Sequence, residues 1–175
     1  MQELLTQNFF ELFGLSPGFS LDVGELTQRY RELQQVVHPD RFATASSQER
    51  RLSMQCATHV NEAFQTLKHP LSRARYLLEM RGVAVDQSTS LPAEFLMEQM
   101  TLREQLEELS GQPEPLLALM QLRDDLGRRG SDLQQSFADL LGLDDNMSAL
   151  QVFNKMQFIY RLQQELDAQE EHLAG

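Results

Sequence analysis

Tyr30-Arg31-Glu32-Leu33-Gln34-Gln35-Val36-Val37-His38-Pro39-Asp40-Arg41-Phe42 reads as the end of one helix followed by a forced corner. Working back from it, Val23, Leu26, Tyr30, Leu33 and Val37 recur in steps of three and four, one apolar stripe at about 100° per residue. Asp22 is placed to cap the helix start. Pro39 stops it, because proline disfavours helical geometry in the residue before it. Working forward, residues 41–47 read as a loop. Ser46 with Glu49 three positions on predicts a capping box. The next helix carries Leu52, Cys56, Val60, Ala63, Phe64 and Leu67 on one face. Two stripes of similar length joined by a short loop should pack antiparallel and bury each other.

Shorter helices flank this hairpin. One is predicted over Asn8–Phe13, closed by Gly14 and the Pro17-Gly18 turn; another runs over Leu71–Met80 after His69-Pro70. Residues 81–91 read as a linker. Beyond it the spacing predicts three longer helices, about 92–109, 114–141 and 146–172, with Gly127 and Gly130 leaving the continuity of the middle one open. The predicted class is all-α: a helical-hairpin domain over 1–80 and a three-helix bundle over 92–175.

Composition narrows the function. The 175 residues hold 26 Asp and Glu against 15 Lys and Arg, a net charge of −11. Residues 1–80 have eight basic against nine acidic, whereas 81–175 have seven against seventeen. Phosphate backbones call for clustered cations, so nucleic acid is not an expected partner. Cys56 is the single cysteine, which excludes an internal disulfide and a Cys-rich metal site. No stretch approaches the roughly 18 apolar residues of a membrane span, and the N-terminus lacks a signal-peptide pattern. The expectation is a cytoplasmic protein with no cofactor, no metal and no membrane contact.

His38-Pro39-Asp40 is the candidate functional tripeptide. Asp40 on a loop beyond the proline can accept charge-assisted hydrogen bonds from a partner arginine. His38 could meet the open carbonyls at the helix end. Mere helix punctuation is the bland alternative, and His69-Pro70, followed by Leu71, is an internal example of it. Placement at the mouth of a matched hairpin favours the functional reading. A catalytic His–Asp pair would need a nucleophile or metal close by. An ATPase would need a phosphate loop. Neither is present, so no enzyme is predicted.

With these residues in place, the sequence resembles a known family. Residues 8–80 look like a J domain, with Tyr30–Phe42 matching its second helix and signature loop. The whole chain is similar to the HscB type of iron–sulfur cluster assembly. Phe9-Phe10-Glu11-Leu12-Phe13-Gly14-Leu15, Leu67–Leu71, Arg73–Leu78, Phe95–Met100 and Leu102-Arg103-Glu104 carry that resemblance. It implies a co-chaperone whose Asp40 contacts a DnaK-type (HscA-like) ATPase in its ATP state, with His38 and Pro39 shaping the loop. Arg29, Arg31 and Arg41 would add steering, although Thr27 and Glu32 stand where generic J domains are often basic. Other readings are a J protein for a different client and a structural helical adaptor.

The second domain has its own candidate face. On a helical wheel, Phe95, Leu102, Leu106 and Leu109 cluster within about 40° as a core stripe. Leu96, Met97 and Met100 fall on the other side, among Arg103, Glu104, Glu107 and Glu108. On the last helix, Val152, Met156, Ile159, Leu162 and Leu166 form the core stripe, with Phe158 off it by about 110°. The residues alone leave open whether a bundle buries these wide faces or a partner does. The resemblance implies the second: an IscU-like cluster scaffold protein held by Leu96, Met97, Met100, Glu104, Glu108 and Phe158. Thr101 departs from the acid a related protein would offer there. Cys56, on a core stripe, reads as a small buried hydrophobe rather than a cluster ligand.

Overall fold

The computed structural model describes residues 1–85 and 92–174, all of it helix and turn with no strand. Most of the expected linker, residues 86–91, lies outside the described residues. The chain divides into two compact units, Met1–Met80 and the segment from Arg81 onward.

In the first unit, α1 (Phe9–Leu12), α2 (Val23–Val37), α3 (Ser47–Lys68) and α4 (Pro70–Met80) succeed one another, with 3₁₀ turns at Gln2–Leu5 and Pro39–Phe42. The caps are the ones the side chains call for. Asn8 and Ser46 each form a reciprocal capping box, with Glu11 and Glu49, and Asp22 accepts from the amides of Gly24 and Glu25. α2 and α3 pack as a hairpin through buried Leu26, Val37, Cys56, Val60, Ala63, Phe64 and Leu67. The Tyr30 ring stacks on Phe64 at 4.0 Å, and its hydroxyl donates to Asn61 Oδ1 at 2.6 Å. Val23, expected in the stripe, is instead exposed at the first turn, where α3 no longer covers it.

Buried Arg73 of α4 sends Nη1 to the Leu67 carbonyl at 2.7 Å, closing the open end of α3, and lays its guanidinium 5.0 Å from the Phe19 ring. Burial holds its pKa below the usual guanidinium value. Cys56 is buried with Sγ 3.4 Å from the Met1 carbonyl oxygen. Burial pushes its thiol up, away from the thiolate that a metal or an oxidant would need.

The second unit is built on α6 (Pro115–Gly142) and α7 (Asn146–Ala174), with α5 (Ala93–Glu107) laid against them. Leu102, Leu106 and Leu109 from the α5 side meet Leu119, Leu122 and Leu126 of α6 and Ile159, Leu162 and Leu166 of α7. The α6–α7 turn is a Schellman motif: Asp145 N–H bonds to Leu140 O, Asp144 N–H bonds to Leu141 O, and Asp144 takes φ +57°. Arg81 reaches both Asp144 and Asn146 Oδ1 at 3.1 Å and braces that turn.

α6 runs unbroken through Gly127 and Gly130. A Cβ at Gly127 would meet nothing within 4 Å, so no steric constraint explains the glycine. Gly127→Ala should therefore stabilise the second unit by about 0.5–1 kcal/mol. A raised urea midpoint tracked by circular dichroism is the check, and a lowered one would show that the helix needs the flexibility.

Candidate functional site

The corner after α2 is set by proline. His38 leaves the helix with ψ 127°, and His69, also before a proline, does the same with ψ 124°. The residues beyond each proline distinguish the two corners. After His69 the chain goes straight into α4, whereas after His38 it makes one 3₁₀ turn on the surface. The corner is anchored from below by Ser53 of α3, fully buried, whose hydroxyl donates to the Val37 carbonyl at 2.7 Å.

Asp40 projects from that turn with its side chain 90% exposed. Its neighbour within the chain is His38, with Nδ1 3.6 Å from Oδ2. That nitrogen also accepts the Asp40 backbone N–H at 3.3 Å, and at 3.6 Å it is too far from the carboxylate for a close hydrogen bond. Asp40 is thus presented outward with its acceptor sites open.

His38 was expected to meet the last carbonyls of α2; instead it caps the succeeding turn. The carbonyl-capping role falls to Arg41, whose Nη1 donates to Gln35 O at 3.0 Å. Arg31, Gln34, Gln35, His38 and Arg41 line one shallow groove of about 540 Å³ beside the corner. Arg29 lies outside it. Its guanidinium bonds Glu25 at 2.6 Å and the carbonyls of Phe13 and Gly14 at 2.9 and 3.2 Å. The cation expected to steer a partner is therefore drawn into the chain's own packing. Gly14 beside it takes φ +61°, a left-handed conformation that strains any residue with a Cβ.

In the second unit, α5 carries Leu96, Met97 and Met100 at 48%, 70% and 63% exposure, with Glu104 and Glu108 exposed in continuation. Two polar clamps hold the helix, one on each flank of its core stripe. Glu98 bonds Arg129 of α6, which also binds Asp125, and Arg103 pairs with Glu165 of α7 at 3.5 Å. The hydrogen bond between Asp125 and Arg129 holds the carboxyl below its usual range and raises the guanidinium.

Phe158 is only half exposed. It packs against the core cluster and meets the Phe95 ring edge-on at 5.7 Å, with Lys155 Nζ 5.2 Å from the Phe95 centroid. It therefore supports the first turn of α5, the turn bearing Leu96 and Met97. Thr101, at the departing position, turns its hydroxyl back to the Met97 carbonyl at 3.3 Å.

The model of the HSCB C-terminal oligomerisation domain matches residues 91–167. A co-chaperone protein HscB homolog of Aliivibrio fischeri is 44% identical over 171 residues, covering 96% of this chain and 99% of its own. The chain belongs to the HscB co-chaperone family. The solved chaperone HscB from Vibrio cholerae superposes with a TM-score of 0.88 at 37% identity, over 95% of this chain and 99% of that one. The human co-chaperone protein HscB gives 0.87 at 28%, over 94% and 83%. Membership makes this chain a co-chaperone and not an enzyme, with the all-α architecture of the HscB fold. No helix among the described residues is long and apolar enough to cross a membrane.

Sequence reading missed the residues that hold the two candidate sites in place: Ser53 beneath the corner, and Glu98 and Arg129 beside α5. The buried position of Ser53 falls between Leu52 and Cys56 and breaks the apolar pattern. That polar interruption was the available signal. Ser53→Ala would strand the Val37 carbonyl, a cost of about 1–3 kcal/mol for a buried group left unsatisfied. Chemical denaturation should show that loss. Faster amide exchange at the corner should accompany it, and unchanged exchange would deny Ser53 its anchoring role.

Proposed function

We propose that this chain couples an iron–sulfur cluster scaffold protein, IscU-like, to a specialised DnaK-type chaperone, HscA-like, in the cytoplasm. The first unit serves as the J domain over residues 1–80, and residues 92–175 carry the client. The carrying observation is the outward carboxylate of Asp40 on a corner whose backbone is fixed by Pro39 and Ser53. An arginine of the chaperone's ATPase can take that carboxylate in a charge-assisted, bidentate hydrogen bond. Arg31 and Arg41 border the adjoining groove and supply cations for an acidic surface of the same partner. Arg29, tied inward, adds only to the local field.

The client reading rests on three apolar side chains exposed together on α5. An exposed apolar patch rimmed by charge marks a partner surface, and methionine adapts to its contours. Glu104 and Glu108 extend the patch, and Phe158 backs its first turn. Holding both partners on one chain raises the client's effective concentration at the chaperone without strong individual contacts.

Steady-state ATPase of the cognate HscA-like chaperone tests the first half. Asp40→Asn should abolish stimulation while leaving the circular dichroism spectrum and melting point unchanged. The missing charge corresponds to about 2–5 kcal/mol of docking free energy. Retained stimulation would reduce His-Pro-Asp to punctuation. The second half is tested by titrating the scaffold protein against a Leu96→Ala, Met97→Ala, Phe158→Ala variant. Affinity should fall at least tenfold, since a handful of central apolar residues dominate such interfaces.

A further inference from the structure

α5 and α6 enclose a cleft of about 330 Å³ on the α6-facing flank of the client helix. Its floor is apolar, from Leu109 and Leu122, both buried in the bundle core. Its rim is polar, from Glu108, Gln105, Gln112 and Gln121. Asp125 closes one end, already bonded to Arg129 at 2.6 Å and near Arg128. Glu108, among the described residues, makes no ion pair and is exposed at the rim. An apolar floor, three amides and an unneutralised carboxylate match one kind of occupant. A long basic side chain can lay its methylene stem on the leucines and present its charged head to Glu108 and the amide oxygens.

We infer that this cleft anchors a lysine or arginine side chain of the client protein, next to the apolar contacts of Leu96, Met97 and Met100. The inference rests on the client reading and extends it. Three observations choose a basic protein side chain. The cleft opens beside Glu108, which continues the exposed face of α5, so a protein seated on that face passes over it. The surrounding half of the chain, with seventeen acidic against seven basic residues, attracts cations and repels anions. The rim offers side-chain oxygens for a donor group, and its lining residues include no Lys or Arg. The nearby Arg128 and Arg129 are paired with Asp125, and Arg129 also with Glu98.

The test uses the full chain and the iron–sulfur scaffold protein, with affinity measured by calorimetry at several salt concentrations. Gln121→Lys puts a cation on the α6 rim of the cleft and should weaken binding about tenfold or more, as a like charge in a contact does. Gln121→Glu should tighten binding and steepen its salt dependence. Ser131→Lys makes the same charge change elsewhere on α6 and should shift affinity less than twofold. Equal effects of the two lysines would mean that only the long-range field acts, and the cleft would carry nothing. Wild-type affinity in Gln121→Lys alongside lost binding in the Leu96, Met97, Phe158 variant would remove the cleft and keep the client face. Unchanged binding in that triple variant would remove the face, and the cleft with it.

Discussion

A proline ring crowds the backbone of the residue before it and disfavours helical geometry there, and that steric rule shapes the His38 corner of the first unit. It fixes His38 in an extended conformation, ends α2 at Val37, and throws the next turn outward. The rule operates twice, at His38 and His69, with nearly the same backbone angle, so it cannot by itself make a binding site. At His69 the buried Arg73 takes the Leu67 carbonyl near the end of α3 and the chain moves on into a packed helix. At His38 the same task is divided. Ser53 takes the Val37 carbonyl from inside and Arg41 takes the Gln35 carbonyl from outside. Asp40 is needed by neither, and a carboxylate with no structural duty is available to another molecule.

The second unit meets the opposite problem, keeping apolar side chains in water without collapsing over them. α5 achieves it by dividing its circumference. The leucine stripe faces the α6–α7 groove, and Glu98 and Arg103 fasten opposite flanks to Arg129 and Glu165. Rotation that would bury Met97 or Met100 must break one of these clamps and tear the leucines from the core. Each clamp is partly exposed and contributes modestly to stability. Their value is geometric, because they sit on either side of the rotation they oppose.

The sequence disclosed whatever is settled within a few residues. Asp22, the Ser46–Glu49 box and the two X-Pro corners act through neighbouring backbone, and all lie where local rules put them. The all-α class came from stripe spacing, which tertiary packing rarely overrides over such lengths. The features that stayed hidden depend on the third dimension. Arg29 looked like a surface cation until the turn after α1 arrived against it and claimed its donors. Phe158 lay off its own helix's stripe, yet α5 supplies the ring that half covers it. His38 carried the right chemistry for two roles, and only the backbone geometry of the turn shows that it accepts from Asp40. Gly127 and Gly130 mark the limit of propensity: the apolar face of a long helix overrides two unfavourable residues.

The two surfaces also differ in the physics that would release a partner. Asp40 and the nearby arginines offer charge to solvent, so contacts there form quickly, weaken with salt, and respond to any change in the partner's cation. The α5 face offers methionine and leucine, whose burial is insensitive to salt and whose strength scales with the apolar area covered. On the reading proposed above, two partners held by different kinds of contact on separate units need not leave together. Loss of the charged contact, as when the other molecule changes conformation, leaves the apolar one intact, and the reverse also holds. The proposed role, bringing one protein to another, would benefit from that independence, which arises from putting the carboxylate and the methionines on different compact units.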